Sequence, residues 1–236
     1  MNINAIVQLI TVCAIPLIFA ITMHEAAHGY VARRFGDATA WAMGRVTLNP
    51  VKHIDPFGTI ILPALMLAAS AAAGGPGFLF GWAKPVPVNF SALRNPKRDM
   101  IWVALAGPLC NLCQAILWGI VLKLLLVAGV QEEFFLRMAV WGVNINIFLM
   151  AFNLIPIPPL DGSRIVGLLI PNKIYYQIMK YERYIIIVVF VLLALGWLST
   201  PLSWLTDKVL YGISWLVSKP FGEYGDMFMQ IVSSAM

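Results

Sequence analysis

The chain carries no charged residue over residues 1–23, 56–83, 100–122, 138–160 and 184–206, and this constrains its fold more than any other feature. Each stretch is long enough to cross a hydrocarbon core, which takes about 20 apolar residues. The whole chain is 60% hydrophobic and 11% charged, whereas a soluble domain is about 45–50% apolar. The bilayer is therefore its solvent. Backbone groups in lipid must satisfy one another, so the pattern predicts an all-α polytopic membrane protein, a bundle of about four to five transmembrane helices. The first stretch lacks a basic n-region and its helical pattern runs on through His24 to Phe35, so it reads as a mature span rather than a secretory signal.

Most of the 16 Lys and Arg fall into three clusters: Arg33, Arg34, Arg45 and Lys52; Arg94, Lys97 and Arg98; and Arg164, Lys173, Lys180 and Arg183. They form no stripe with interleaved aromatics, which argues against a nucleic-acid partner. In a membrane protein such clusters set orientation and face the cytoplasm. The first span then runs inward, the span from residue 100 starts inside, and the apolar segment between them must enter and return. Residues 58–73 read as an apolar helix, but residues 74–90 hold too many Gly and Pro for a second span and read as an extended, re-entrant return lining a cavity. Pro85 and Pro87 confine any strand there to an edge. An external loop in place of the return would put Asp161 on the opposite side from His28. Residues 40–52 look like a short β element on the cytoplasmic side, and residues 201–236 like an outer interfacial helix and tail following a core at residues 1–200. Cys110 and Cys113 lie inside a span and read as small apolar packing residues.

His24-Glu25-Ala26-Ala27-His28 places two imidazoles at i and i+4 on one helical face, with a carboxylate beside them. Two neutral imidazole nitrogens suit zinc, and an adjacent Glu can take a proton from water and hand it to a leaving amine. The motif lies in a span, where ionisable groups are costly and by default functional. A polar cluster joining helices is the structural alternative. Asp161 is the candidate third ligand; it follows a broken segment containing Pro156, Pro158 and Pro159, and an N-cap role for the next helix is its alternative. His28 lies five residues before Arg33, about 7–8 Å of helix, and Asp161 three residues before Arg164. The two sites thus share a shallow depth on one side.

These motifs resemble those of the site-2 proteases, intramembrane zinc metalloproteases that cut membrane-anchored proteins. His24 to His28 matches the family's zinc motif, residues 153–162 resemble its Asn-x-x-Pro-x-Pro-x-x-Asp-Gly motif, and Gly107-Pro108-Leu109-Cys110-Asn111 adds a third. The resemblance covers most of residues 15–170 and implies Zn2+ held by His24, His28 and Asp161, with Glu25 as general base. It also implies that Asn153 assists the oxyanion or the substrate backbone; a helix-to-helix hydrogen bond is the plainer role for that Asn. Asn111 reads either as a residue orienting substrate or ligands or as helix glue. His53 reads either as an approach to metal or substrate or as a loop histidine bonded to Asp55 or backbone. Val86, Val88 and Asn89 are candidates to receive an unwound substrate by strand addition. No stretch resembles a PDZ or nucleotide-sensing domain. The expected partners are the lipid bilayer and membrane-embedded protein substrates, and the expected location is a bacterial cytoplasmic membrane with the active site toward the cytoplasm.

Overall fold

Residues 3–62, 64–66 and 81–218 are described by the structure, a computed structural model. The described part is all-α. Its elements are α1 (Ile3–Arg34), α2 (Thr39–Ala42), α3 (Pro96–Val127), α4 (Glu133–Asn153), α5 (Asp161–Val166), α6 (Asn172–Lys180), α7 (Glu182–Ala194) and α8 (Ser199–Ser218). Among the described residues, three helices are long and apolar enough to cross a membrane: residues Ile10–Arg34 of α1, all of α3 and all of α4. The 21 residues of α4 span about 31 Å, close to the hydrocarbon thickness of about 30 Å.

These three helices pack on one another. Small residues set the closeness, as expected where lipid removes the hydrophobic drive and dispersion contacts decide. A Cβ on Gly142 of α4 would lie 2.3 Å from the Trp118 ring of α3, so the indole seats against bare backbone. Leu122, Ala139 and Val143 form the centre of the interface, and Leu210, Ile213 and Val217 of α8 complete it. Segment 201–236, expected at the interface, therefore contributes a packed helix through Ser218; residues 219–236 lie outside the described residues. Lys123, buried in α3, donates its ammonium to the Val217 carbonyl in the last turn of α8, where a helix end has carbonyls to satisfy.

Two expectations need correction. The uncharged run 184–206 is not one span: α7 has 13 residues, about 20 Å, and the chain turns at Gly196, whose φ of 77° is left-handed. Residues 40–52 form no strand, and none is present among the described residues. They hold the end of α2, a left-handed turn at Gly44 (φ 64°) and a 3-10 turn at Pro50–His53. The Asn49 side chain accepts from the Val51 N–H at 3.0 Å, and Pro50 has no N–H to offer a ladder.

The segment after α4 behaves as its prolines require. Residues 154–160 run as turns and bends, and helix resumes at Asp161. Gly162 permits this tight return, since a Cβ there would lie 2.2 Å from the Leu154 carbonyl oxygen. Residues 81–89 are extended, as expected for the end of the return; residues 74–80 of it lie outside the described residues. Because the clash at Gly162 is with backbone, which cannot rotate away, Gly162→Ala is expected to destabilise the protein by about 1–3 kcal/mol. A thermal melt in detergent that left Gly162→Ala level with wild type would contradict this packing.

Candidate metal centre

The site begins with α1, which continues unbroken through 24–28 because Ala26 and Ala27 favour helix and nothing there breaks it. His24 and His28 consequently sit one turn apart on a buried face, 7% and 8% exposed, with their Nε2 atoms 3.0 Å apart. Asp161 arrives as the first residue of α5. The cap position of that helix belongs to Leu160, and the Asp161 carboxylate turns instead to the histidines, with Oδ2 3.3 Å from His24 Nε2 and 3.3 Å from His28 Nε2. That buried oxygen has no hydrogen-bond partner.

These separations fit zinc. Ligands about 2.0–2.1 Å from a tetrahedral ion stand about 3.3–3.4 Å from each other, close to the 3.0, 3.3 and 3.3 Å found between the three donors. Room for the ion comes from α3. A Cβ on Gly107 would lie 2.4 Å from His28 Nε2 and 2.6 Å from His24 Nε2, in the space an ion bound to both nitrogens needs. Two nitrogens and one carboxylate oxygen also form the donor set of a hydrolytic zinc site, which keeps a further position open.

Both rings are held from behind. His28 Nδ1 donates to the Val103 carbonyl at 2.7 Å, and His24 Nδ1 donates to Asn111 Oδ1 at 2.5 Å. Each bond places the ring proton on Nδ1 and turns a bare Nε2 toward the shared centre. Asn111 and Val103 flank Gly107 by one helical turn on either side, so one stripe of α3 supplies both supports and the gap between them.

Glu25, on the neighbouring face of α1, accepts the Val86 N–H through Oε2 at 2.7 Å. The extended segment is fastened around that contact. Lys84 N–H donates to the His53 carbonyl at 2.9 Å, the Arg45 guanidinium donates to the Lys84 carbonyl at 2.8 Å, and Asn89 N–H donates to Asp37 at 2.6 Å. Gly29 allows the approach, since a Cβ there would meet Val86 and Val46 at 3.0 and 2.7 Å.

The other candidates fall elsewhere. His53 is buried, with Nε2 bonded to the Thr47 carbonyl at 3.0 Å, and is not among the donors that converge. Asn153 ends α4 and donates Nδ2 to the Leu149 carbonyl at 3.0 Å. Val88 packs with Ala32, Leu93 and Met100, and the Asn89 side chain accepts from the Ser91 N–H. Sequence reading missed Asn146 of α4, whose Oδ1 accepts from Asn111 Nδ2 at 2.9 Å; an uncharged amide four residues from Gly142 inside a span was its available signal. It also took Arg45 for a topology charge, although this residue is 7% exposed and grips the extended segment.

A relative from Bacillus subtilis (strain 168), provisionally named zinc metalloprotease YwhC, is 41% identical over 187 residues, 75% of this chain and 78% of its own length. The chain belongs to the site-2 proteases. The profile of peptidase family M50 matches residues 128–196. Two further relatives carry the same provisional naming. Rip2 of Mycolicibacterium smegmatis (strain ATCC 700084 / mc(2)155) is 32% identical over 61% of this chain and 52% of its own length. MJ0611 of Methanocaldococcus jannaschii is 30% identical over 70% of this chain and 73% of its own. No solved structure matches the chain significantly. This site-2 protease is thus a membrane zinc metalloendopeptidase with Zn2+ as its cofactor, and His24, His28 and Asp161 lie close together in it.

The space at Gly107 gives a direct test. Gly107→Ala is expected to cut the zinc content of the purified protease by at least about tenfold, the scale seen when the surroundings of a metal ligand are disturbed. Gly212→Ala, where a Cβ would meet nothing within 4 Å, is expected to keep wild-type zinc. Elemental analysis of both variants decides, and equal zinc in the two would contradict the assignment of the cavity.

Proposed function

We propose that the protease cleaves transmembrane or juxtamembrane segments of membrane-anchored proteins, with His24, His28 and Asp161 as its zinc ligands and Glu25 as general base. The observation that carries this reading is the convergence of three metal donors, with a carboxylate on the same helix, inside an apolar bundle. A soluble substrate has no reason to bring a peptide bond to such a place. A membrane-anchored one already lies there.

Bound at this centre, zinc supplies Lewis acidity that makes water nucleophilic near neutral pH and polarises the scissile carbonyl. The rest falls to the chain. Glu25 Oε2 is fixed by the Val86 N–H, leaving Oε1 to take a proton from the attacking water and deliver it to the leaving nitrogen. Asn153 uses one amide hydrogen on Leu149, and a second remains to donate to the oxygen that gains charge on attack. The peptide bond must be unwound to be reached, and the extended residues Val86 to Asn89 offer backbone alongside which it can lie. On this reading the chemistry belongs to residues 1–200, while α8 contributes packing. The basic residues Arg33, Arg34 and Arg164 close to the motif support a centre near the cytoplasmic face of a bacterial membrane.

Glu25→Gln is expected to keep zinc and lose cleavage by at least about 10²-fold, the usual scale for general-base catalysis. Asp161→Asn, which weakens an anionic donor, is expected to lower both zinc content and cleavage. Comparing membrane peptides from cells carrying wild type or Glu25→Gln identifies the cut segments. Cleavage that persisted in purified Glu25→Gln, or cuts confined to soluble domains, would defeat the proposal.

A further inference from the structure

The two metal-facing histidines are supported in physically different ways. His28 Nδ1 donates to the backbone carbonyl of Val103, a group that can only accept and cannot turn over. His24 Nδ1 meets the side-chain amide of Asn111, which presents an acceptor at one end and donors at the other. Rotated by half a turn, Asn111 would offer Nδ2 to Nδ1. The imidazole proton would then move to Nε2, the atom that must carry a lone pair for the metal. Something has to hold Asn111 in its ligand-supporting orientation.

Asn146 is placed to do so. Asn111 and Asn146 are both 0% exposed, so neither has water to exchange with. Asn146 Nδ2 donates to the Gly142 carbonyl at 2.8 Å, one turn back on α4. Because that carbonyl only accepts, Asn146 must turn Oδ1 toward α3, where it accepts Asn111 Nδ2 at 2.9 Å. The Ala20 carbonyl of α1 accepts the same nitrogen more weakly, at 3.2 Å, and also faces Gln114 Nε2 at 3.5 Å. With Nδ2 committed to these oxygens, Oδ1 of Asn111 is left to accept from His24 Nδ1 at 2.5 Å. We infer that Asn146 is a positioning residue for the metal centre: through Asn111 it sets the ring proton of His24 on Nδ1, a buried relay across α4, α3 and α1. The inference rests on the zinc-centre reading and adds a residue and a function that the metal motif does not contain. Gly142 serves the relay with its carbonyl and admits the Trp118 ring with its missing side chain, which ties helix packing to the state of His24.

The chain has 3 histidines, so 15N-histidine labelling resolves each ring. Purified protein with zinc added is to be compared by chelator-competition zinc affinity and by the 15N and Nδ1–H signals of His24 and His28. Wild type is expected to show a proton on Nδ1 of both. Asn146→Leu, close in shape but without polar atoms, is expected to weaken zinc binding by about tenfold or more and to reduce the His24 Nδ1–H signal while leaving that of His28. Adding Asn111→Asp to Asn146→Leu supplies a group with only acceptor atoms, which has no wrong orientation, and is expected to restore both readouts. Asn146→Asp keeps the acceptor toward Asn111 and is expected to keep the His24 proton on Nδ1. It also serves as the test if Asn146→Leu does not fold. Zinc affinity within twofold of wild type in Asn146→Leu, failure of Asn111→Asp to rescue it, or loss of the His24 signal in Asn146→Asp would overturn the relay. If His24→Ala bound zinc as tightly as wild type, the zinc-centre reading itself would fall.

Discussion

The crossing of α1 over α3 at Gly107 is the contact on which the centre depends. Helices in lipid approach closely where side chains are small, and here the missing side chain also provides the space between two imidazole nitrogens. The pairing along the crossing is regular. His28 faces Val103 and His24 faces Asn111, with Gly107 midway between the two supports. Successive turns of α3 thus present a carbonyl, a gap and an amide. Pro108 adds to this, since it lacks the N–H that would bond the Ala104 carbonyl and so loosens the helical ladder beside Val103.

Burying this many polar groups is costly unless each finds a partner. Asn111, Asn146, His24 and His28 are all bonded, and the connections run through three helices. Such a network permits few alternatives: it disfavours rotation of any one helix, because a turned helix would leave several donors bare at once. The same accounting identifies Asp161 Oδ2 as distinct. It is buried and without a hydrogen bond, yet it lies at equal distance from the two bare imidazole nitrogens, which is where an electron pair is of use to a cation.

The parts of the site that were legible in the sequence are those set by local periodicity or by charge. His24 and His28 follow from helical spacing, and Asp161 from the prolines before it and the Arg164 that fixes its depth. What was not legible depends on which faces of which helices meet. Asn153 and Asn146 are two turns apart on α4, so both satisfy the same pattern, and only packing shows that Asn146 reaches Asn111 while Asn153 bonds its own helix. The run 184–206 looks continuous because hydropathy does not register one left-handed glycine at 196. Residues 40–52 suggested a strand because their composition permits one, but a strand needs a partner, and the facing segment offers its carbonyls to Arg45 instead.

That facing segment shows why an irregular backbone is retained beside the site. In a helix or a sheet the Val86 N–H would be bonded to a carbonyl and unavailable to Glu25. Pro85 and Pro87 disfavour a helix and confine any strand to an edge, and neither has an N–H of its own, so within residues 85–87 Val86 alone presents a donor to the carboxylate. One donor suits the general-base role proposed for Glu25. A carboxylate held by several N–H groups becomes too weak a base to accept a proton, whereas one left unheld in an apolar bundle has no fixed direction. The prolines therefore leave the Val86 N–H as the one donor that residues 85–87 offer Glu25, and the tethers at Arg45, His53 and Asp37 hold that segment in place.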